Sequence, residues 1–479
     1  MTVDTKAPYK ARVTEALSDE HLRTALDRAT KRLTVNRTLA MDAIDGERLR
    51  NEVHAVRRRA VTNMPDLLEE LERNLIANGC HVHWARDAAE ATNIVRSIAA
   101  DHGVRRVVKS KSMTTEEIGL NEALQKASVD VVETDLGEYI IQLANEPPSH
   151  IIAPVIHKTA EDISELFQQE LDMPPTDDPA KMCDAARHAL REEFLNADMG
   201  ISGCNFAIAE TGTVCIITNE GNGRMTTSMP PVYVAIAGIE KVVPTVEDAV
   251  LLWQAAARNA TGQEVSVYFS MSSGPRGTGH PDGPEEMHVI LLDSGRSRVL
   301  ERGYGDALLC IRCAACLNVC PVYREIGGHS YGATAYSGPI GAVITPLLSH
   351  YITTHEELPF ASSLCGACRD VCPAKIDLPR LLLDLRNDLT DLDSSSRLER
   401  LAMSGFRETM KEPRRYRRLA VVGRWLTRGF SLSKSGDIAK LPPPLNAWTK
   451  TRVFPKLAAR SFRQLWTKRK RRRSGEDRK

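Results

Sequence analysis

Residues 1–63 carry apolar side chains at helical spacing. Apolar positions recur every three or four residues, and polar or charged side chains fill the positions between them, as on a helix that buries one face. The clearest series is Leu22, Ala25, Leu26, Ala29 and Leu33. The pattern predicts an N-terminal helical segment over residues 1–63.

From residue 64 to 298 the pattern alternates between helical periodicity and short extended runs. Such alternation predicts an α/β domain with a layered sheet. One helix is expected over 115–125, capped by Thr114 with Glu117 three residues later, the spacing of a capping box. A further helix is expected over 67–78, with strands over 104–108, 129–132, 205–209, 214–218 and 288–292 and a glycine-rich turn over 219–223.

Residues 299–392 contain most of the cysteines of the chain. The chain has eleven cysteines, and seven of them fall between positions 310 and 372. The other four lie in apolar or helical contexts, where a free cysteine usually behaves as a small buried hydrophobe; they are Cys80, Cys183, Cys204 and Cys215.

The spacing of those seven cysteines is that of a two-cluster ferredoxin. The first run reads C-x2-C-x2-C-x3-C-P, and the second, C-x2-C-x3-C-P, repeats its last three cysteines. In such runs the cysteine before the proline ligates the other cluster. The sequence therefore predicts two [4Fe-4S] clusters, the first on Cys310, Cys313, Cys316 and Cys372 and the second on Cys320, Cys365 and Cys368.

The second cluster lacks one cysteine. Ser362 stands where the pattern would place it, and His355 is nearby in sequence. A serine oxygen, a histidine, a solvent ligand or a three-iron cluster each complete the site, and the sequence does not choose among them. Structural zinc favours separated C-x2-C pairs and disulfides need an oxidising compartment, so both account less well for this pattern.

Composition and charge place these segments in a cytoplasmic protein. Of 479 residues, 42% are hydrophobic and 26% charged, as in globular proteins, and no apolar run is long enough to span a bilayer. The net charge of +1 hides an asymmetry, because residues 396–479 alone carry +19. Residues 393–479 are thus predicted to form a basic C-terminal extension.

The basic extension allows several roles. Its basic runs, 414–418 and 468–473, are more typical of a solvated tail or a partner-docking segment than of nucleic-acid binding, which is unlikely without a nucleic-acid fold. A helix over 419–430, with Trp425, has the character of a peripheral membrane contact.

Candidate catalytic groups in the α/β region do not form a motif. Oxidation of a 2-hydroxy acid needs a base, an acceptor for the electrons and a cation for the carboxylate. No G-x-G-x-x-G or Walker A motif indicates a nicotinamide, FAD or ATP site, and the catalytic residues stay unknown. Candidate bases are His150, His157 and Glu210; candidate cations are Lys109, Lys111 and Arg224, and the turn at 220–223 offers backbone amides to an anion.

Ten short segments give the chain a family resemblance. They run in one order between about residue 60 and residue 392: KSKSM at 109–113, ETDLGE at 133–138, PSHI at 148–151, AETGT at 209–213, TNEGN at 218–222, GIEK at 238–241, PDGPEE at 281–286, CPVYR at 320–324, GGH at 327–329 and GPIG at 338–341. In these the chain resembles the lactate utilization protein B family, the iron–sulfur subunits of a three-protein bacterial system that oxidises L-lactate to pyruvate.

The resemblance implies a LUD-type α/β domain, similar to CoA-transferase and sugar-phosphate isomerase folds, fused to a small helical ferredoxin-type domain. It also implies seven cluster cysteines and partner subunits, while the electron acceptor and the chain's own catalytic share stay open. Three positions depart from the family: Ala314 stands in place of glycine, and Pro231 and Tyr233 stand near an expected basic residue and histidine.

The sequence supports two main functional hypotheses from different classes. The first is an electron-transfer subunit of a lactate-oxidising complex that allows growth on lactate. The second is an iron–sulfur redox sensor whose basic tail contacts nucleic acid. A stand-alone enzyme built on the LUD domain is a third reading, but without a visible two-electron cofactor the relay is favoured.

Overall fold

The computed structural model describes residue 5 and residues 7–332, 334–392, 397–426, 437–443, 445–450 and 452–474. The chain divides into two compact units, Met1–Ser394 and Ser395–Lys479. The basic extension is thus a unit of its own, whereas the N-terminal helices, the α/β region and the cysteine region fold together.

The N-terminal segment is helical, as its apolar spacing predicts. Side chains of Asp19 and Asp45 accept hydrogen bonds from the amides of Leu22 and Arg48, both at 2.9 Å, and so cap two helices. The four helices that open the chain are α1 (Tyr9–Ser18), α2 (Glu20–Asp42), α3 (Gly46–Thr62) and α4 (Met64–Ala77).

The α/β region is built on a parallel sheet, which confirms the predicted class. Six strands pair in the order β1-β10-β7-β4-β2-β3, and each of them pairs in parallel with its neighbours. Burial on both faces explains the continuous apolar runs of the inner strands β7 and β10. The strands are β1 (His81–Ala85), β2 (Arg106–Lys109), β3 (Asp130–Glu133), β4 (Met199–Gly203), β7 (Val232–Gly238) and β10 (Glu286–Leu292).

A second sheet follows the order β8-β5-β6-β9. Its central pair is an antiparallel hairpin formed by the two extended segments that the sequence predicts at 205–209 and 214–218. Its strands are β5 (Phe206–Ile208), β6 (Thr213–Thr218), β8 (Val242–Val243) and β9 (Tyr268–Ser272).

The predicted helix at 115–125 is wrong in two respects. Gly119 adopts a left-handed conformation, with φ of 62°, and divides the segment into two short helices. The first is capped by Ser112, which accepts from the amide of Thr115, and not by Thr114. The helices of the α/β region are α5 (Ala88–Asp101), α6 (Met113–Glu117), α7 (Leu120–Gln125), α8 (Leu136–Leu143), α9 (Ala160–Glu170), α10 (Pro179–Leu195), α11 (Asn222–Ser228), α12 (Val246–Ala260) and α13 (Arg296–Glu301).

The cysteine region is helical and shares one core with the N-terminal helices. Leu26 of α2 and Val53 of α3 belong to the same buried cluster as Cys313, Leu317 and Leu382. Its helices are α14 (Ala315–Asn318), α15 (Pro321–Ile326), α16 (Gly338–Leu348), α17 (Ala367–Val371) and α18 (Leu378–Asp391).

The parallel sheet contains one topological switch point. From β2 the chain goes to β3 at one edge and then returns to β4, on the other side of β2; later strands are added away from β3. Strand order therefore reverses between β2 and β4. Open α/β sheets bind ligands outside the carboxyl ends of their strands at such a point.

The C-terminal unit contains α19 (Arg397–Lys411), α20 (Pro413–Leu426) and α21 (Phe462–Ser474). The helix predicted over 419–430 coincides with α20 as far as Leu426, where Trp425 is exposed, and residues 427–430 lie outside the described residues. In the described parts of the chain, no helix combines the length and apolarity needed to cross a membrane.

Candidate iron–sulfur centre and the adjoining cavity

The two cysteine runs share one local structure. Ala314 follows Cys313 with φ of 60°, and Gly366 follows Cys365 with φ of 89°. Each of these left-handed residues precedes a short helix, α14 or α17. The repeat seen in the sequence is therefore a repeat of backbone conformation as well.

Four thiols form one electrostatic group. Burial raises the pKa of Cys313 to about 12, and Cys310 and Cys372 add to the rise. Burial also raises the pKa of Cys316 well above its ordinary value, with contributions from Cys310, Cys313 and Cys372. These are the four cysteines that the sequence assigns to the first cluster.

The other three thiols form a second group. Burial raises the pKa of Cys368 to about 12, and Cys320 and Cys365 contribute. Burial raises the pKa of Cys320 too, with a contribution from Cys365. Cys368 also contributes to the raised pKa of Cys316, so the two groups lie next to each other.

Backbone amides approach the sulfurs in both groups. The amide of Arg312 donates to Cys310 Sγ at 3.4 Å and that of Ile376 to Cys372 Sγ at 3.4 Å, while the amide of Tyr323 donates to Cys320 Sγ at 3.5 Å. Hydrogen bonds to sulfur stabilise negative charge and tune the potential of iron–sulfur clusters. The backbone is thus arranged to receive thiolates.

None of the eleven cysteines forms a disulfide. Within the described residues, no three His, Cys, Asp or Glu side chains converge closely enough to hold a single metal ion. A cubane cluster instead takes each cysteine on a separate iron, so its ligands need not converge on one point.

Buried cations face the first group of thiols. Burial lowers the pKa of Arg57 to about 10 and that of Lys241 to about 8, while Glu240 and Cys310 act in the opposite direction. Arg312 is buried as well, and Cys310 and Glu240 raise its pKa against the effect of burial. Glu240 is the one carboxylate shared by these three cations and Arg296. Four cysteine thiolates around an iron–sulfur cube would supply the missing negative charge, so the residues present fit such a group.

The N-terminal helices hold the second cysteine run by its carbonyl groups. Arg37 on α2 donates to the carbonyl of Val371 at 2.7 Å, and Arg50 on α3 to that of Cys372 at 3.0 Å. His54 lies 2.9 Å from the carbonyl oxygen of Ala374. No motif in the sequence pointed to these contacts, because they join residues more than three hundred positions apart.

Ser362, His355 and Tyr331 have different surroundings. Ser362 Oγ accepts from the amide of Leu364 at 3.1 Å, and the charges acting on His355 are those of Glu357 and Arg12. Tyr331 is 1% exposed, and Cys320 is the first of the charges that raise its pKa beyond the effect of burial. Its hydroxyl has no hydrogen-bond partner in the described part of the chain.

Most candidate catalytic groups of the α/β region have structural partners. Lys109 is fully buried and pairs with Glu133 at 2.7 Å and Glu116 at 3.1 Å. His150 Nδ1 accepts two backbone amides, and its Nε2 lies 3.2 Å from Asn318 Oδ1. Burial lowers the pKa of His150 to about 3, so its imidazole is neutral and fixed.

The remaining candidates are dispersed. His157 Nε2 lies 2.7 Å from Glu146, Glu210 accepts from the amide of Val246 at 2.7 Å, and Arg224 is exposed. The turn at 220–223 opens α11 instead of closing a hairpin. These groups do not form one site with Lys111, whose ammonium lies 3.4 Å from Glu138.

A large cavity lies between the α/β region and the first cysteine run. Its volume is about 1050 Å³. Segments that follow the carboxyl ends of β2, β3, β4 and β7 line it, as do α2 and residues 311–313, which include Cys313. Of the predicted candidate bases and cations, only Lys111 lines this cavity. Its other cations, Arg28, Arg32, Lys158, Lys241 and Arg312, are joined by three carboxylates, Asp135, Glu161 and Glu220.

Three family profiles cover most of the chain. The LUD domain matches residues 68–292, the 4Fe-4S dicluster domain residues 306–376 and the C-terminal domain of lactate utilisation protein B residues 392–471. The fold is thus a mixed α/β LUD domain joined to a 4Fe-4S domain of ferredoxin type.

Full-length relatives match as well. Lactate utilization protein B of Bacillus velezensis is 42% identical over 98% of both chains, and that of Bacillus subtilis is 41% identical over 98% of both. A solved DUF162-family protein from Deinococcus radiodurans is 16% identical with a TM-score of 0.28, covering 48% of this chain and 98% of that one.

Proposed function

The chain belongs to the lactate utilization protein B family, and on that basis we propose that it is the iron–sulfur electron-transfer subunit of a bacterial complex that oxidises L-lactate to pyruvate. A role in lactate utilization follows from the relatives, which match over nearly the whole chain. The finer assignment, as the relay within the complex, rests on the arrangement of the seven cysteines.

The proposed cofactors are two [4Fe-4S] clusters. Cys310, Cys313, Cys316 and Cys372 hold the first and Cys320, Cys365 and Cys368 the second, whose fourth ligand is not a cysteine. The supporting observation is that the larger mutual electrostatic effects among the seven thiols fall within these same two groups, while Cys368 has a smaller effect on Cys316. When bound, such clusters take up and release electrons one at a time.

The chain's own residues serve this relay in two ways. Arg57, Lys241 and Arg312 place positive charge beside the first group, which favours added electrons there. Cys365 is exposed while the thiols of the first group are mostly buried, so the second cluster would meet a partner at the surface. Electrons would then pass between a partner at the second cluster and the interior at the first.

The wider setting is also part of the proposal. We place the protein in the cytoplasm with the other subunits of the lactate system as partners and with a LUD fold related to CoA-transferases. The basic extension, +19 over residues 396–479, would dock a partner or an anionic membrane surface. No observation favours the alternative, a redox sensor that contacts nucleic acid.

The division of labour is testable with purified components. The anaerobic chain alone is expected to show no lactate dehydrogenase activity with nicotinamide or artificial dyes. Adding the partner subunits and L-lactate should reduce its clusters, as followed by visible absorbance. Cys368→Ala should stop electron flow through the complex while circular dichroism shows an intact α/β domain. Lactate turnover by the isolated chain after cluster removal would contradict the relay.

A further inference from the structure

The cavity lies where an α/β sheet binds ligands. Residues 110–114 follow β2 and residues 203–205 end and follow β4, and both segments line it. Strand order reverses between β2 and β4, and the carboxyl ends of strands at such a reversal form the usual ligand crevice of open sheets. None of the three family profiles names a ligand for this place.

The charge of the lining suits an anion. Six Lys and Arg side chains line the cavity against three Asp and Glu. Lys111 and Lys158 are paired with Glu138 and Glu146 outside the lining, whereas Arg28 and Arg32 of α2 have no ion pair among the described residues. Lys241 is only 7% exposed, and its ammonium has no hydrogen bond to any described residue. At the end near the cysteines, the two buried cations are Lys241 and Arg312. An anionic group is the natural partner for such a lining.

The size and the walls of the cavity suit more than a three-carbon acid. Its volume of about 1050 Å³ is at the upper end for pockets that hold drug-sized ligands, roughly 300–1000 Å³. Ile151, Ile152, Ile216, Ile217 and Ile311 give it extensive apolar wall. A nucleotide-sized molecule with a flat apolar portion and a charged end matches both features.

The position beside Cys313 adds a redox requirement, which rests on the proposed function. Lactate loses two electrons and a cubane cluster accepts one, so a two-electron carrier has to stand next to the cluster that it feeds. Nicotinamides transfer hydride only, whereas flavins accept a hydride and can also release single electrons.

We propose that this cavity binds a phosphate-bearing flavin of the flavin mononucleotide class, with its phosphate at Arg28 and Arg32 of α2 and its ring system along the isoleucine wall toward Cys313, where Lys241 and Arg312 face the negative charge of the reduced ring. In the complex, where a partner subunit presents the 2-hydroxy acid, the flavin takes a hydride from that acid, which becomes a 2-oxo acid, and the hydroxyl proton goes to solvent. It then passes two electrons, one at a time, to the first cluster and releases its own proton to solvent. The final electron acceptor is the partner that reoxidises the clusters.

Binding can be tested without turnover. Flavin mononucleotide titrated into the anaerobic, cluster-loaded full chain is expected to lose its fluorescence saturably, at one flavin per chain. Ala29→Trp fills the cavity from α2 without removing a polar contact, and it should abolish quenching. Val35→Trp, an exposed site on the same helix that does not line the cavity, should leave quenching unchanged.

Two charge-removing substitutions on α2 provide a second test and its control. Arg32 lines the cavity, whereas its neighbour Lys31 pairs with Asp27 at 2.7 Å and does not. Arg32→Gln should weaken flavin binding about tenfold, the effect of roughly 1.4 kcal/mol, and Lys31→Gln should not. Equal affinity in all four variants, or no saturable quenching in the parent chain, would overturn the flavin site.

The test separates this inference from the proposed function. If partner subunits and lactate reduce the clusters but no flavin binds, the relay stands and the flavin site is wrong. If flavin binds and Ala29→Trp abolishes it, the site stands even where lactate fails to reduce the complex. Saturable binding of millimolar L-lactate or pyruvate in calorimetry, abolished by Ala29→Trp, with no binding of flavin, would identify a substrate pocket and reject the cofactor.

Discussion

Ala314 and Gly366 occupy equivalent positions in the two cysteine runs and share a left-handed backbone, with φ and ψ of 60° and 5° for Ala314 and 89° and −12° for Gly366. An L-residue with a Cβ is strained in this conformation. The family resemblance placed a glycine at Ala314, and the backbone explains why glycine suits that position.

Ala314→Gly is therefore expected to stabilise the cluster-loaded chain, by up to about 1 kcal/mol once the entropy of glycine in the unfolded chain is included. Gly366→Ala should destabilise it by about 1 kcal/mol, since no atom lies within 4 Å of the added Cβ and the backbone is the only penalty. Urea midpoints under anaerobic conditions measure both. Shifts of the same sign in the two variants would contradict this account.

Iron content tests the number of clusters. The two thiol groups predict about seven to eight irons per chain, with matching sulfide, in anaerobically purified protein. Chemical analysis of iron, sulfide and zinc on one sample measures this. A value near four irons, or zinc in place of iron, would be incompatible with two clusters.

Pairs of cysteine variants test crossed ligation. Cys372→Ala should alter the same electron paramagnetic resonance signal as Cys313→Ala, because both belong to the first group. Cys320→Ala should resemble Cys365→Ala instead. Cys80→Ala, at a buried thiol outside both groups, serves as the control. A common effect of Cys320→Ala and Cys313→Ala on one cluster would show that ligation is not crossed.

The unpartnered hydroxyl of Tyr331 predicts a contact with the second cluster. We expect Tyr331→Phe to lower the reduction potential of that cluster and leave the first unchanged, because a hydroxyl donor stabilises the reduced, more negative cluster. Tyr323→Phe is a matched control, since the Tyr323 hydroxyl already donates to the carbonyl of Ser149 at 2.7 Å.

Redox titration of each cluster signal measures the effect. If Ser362→Ala, and not Tyr331→Phe, shifts the second cluster or converts it to a three-iron form, the serine provides the fourth contact.

Glu240 is expected to be the buried carboxylate whose substitution destabilises the fold most. Burial alone would raise its pKa, but Arg296, Lys241 and Arg312 hold it at about 2. Because this value lies below the ordinary 4.5, the ionised group stabilises the fold throughout the neutral range, and the contribution is lost only as the pH falls toward 2.

Glu240→Gln leaves buried cations without a partner and should destabilise the chain by about 3 kcal/mol or more at pH 7. Glu264→Gln, at an exposed site, should change the urea midpoint little. Adding Lys241→Met to Glu240→Gln should recover part of the loss. No recovery in the double variant would mean that Lys241 does not depend on Glu240.

The sequence predicted those features that local patterns encode. Continuous apolar runs such as β7 and β10 belong to a buried parallel sheet, and the strands β5 and β6 follow from the two extended runs at 205–209 and 214–218. The cysteine runs are equally local, since spacings of two and three residues define them. The capping residue of α6 was misassigned because Ser112 and Thr114 are both good N-cap residues, and only the backbone distinguishes them.

Long-range partners were beyond the sequence. Lys109 and His150 had the right chemistry for a substrate site, yet Glu133 and Asn318 already engage them. Nothing near Lys109 in the sequence identifies Glu133 as its partner, and His150 and Asn318 are 168 positions apart. The cavity likewise arises only when strand ends, α2 and the first cysteine run come together, so its lining has no signature of its own.

Arg37, Arg50 and His54 contact carbonyl groups of the second cysteine run, and these contacts affect how the protein would acquire its clusters. The proposed first ligand set closes with Cys372, near the end of the unit, and the helices that contact this run are synthesised first. A nascent chain thus exposes the N-terminal helices long before the last ligand emerges from the ribosome. Iron delivery must either precede the docking of α2 and α3 or wait for them to open locally. Cluster insertion and the docking of α2 and α3 are therefore coupled, and a scaffold protein that hands over the cluster needs access to residues 310–372 while these helices are undocked.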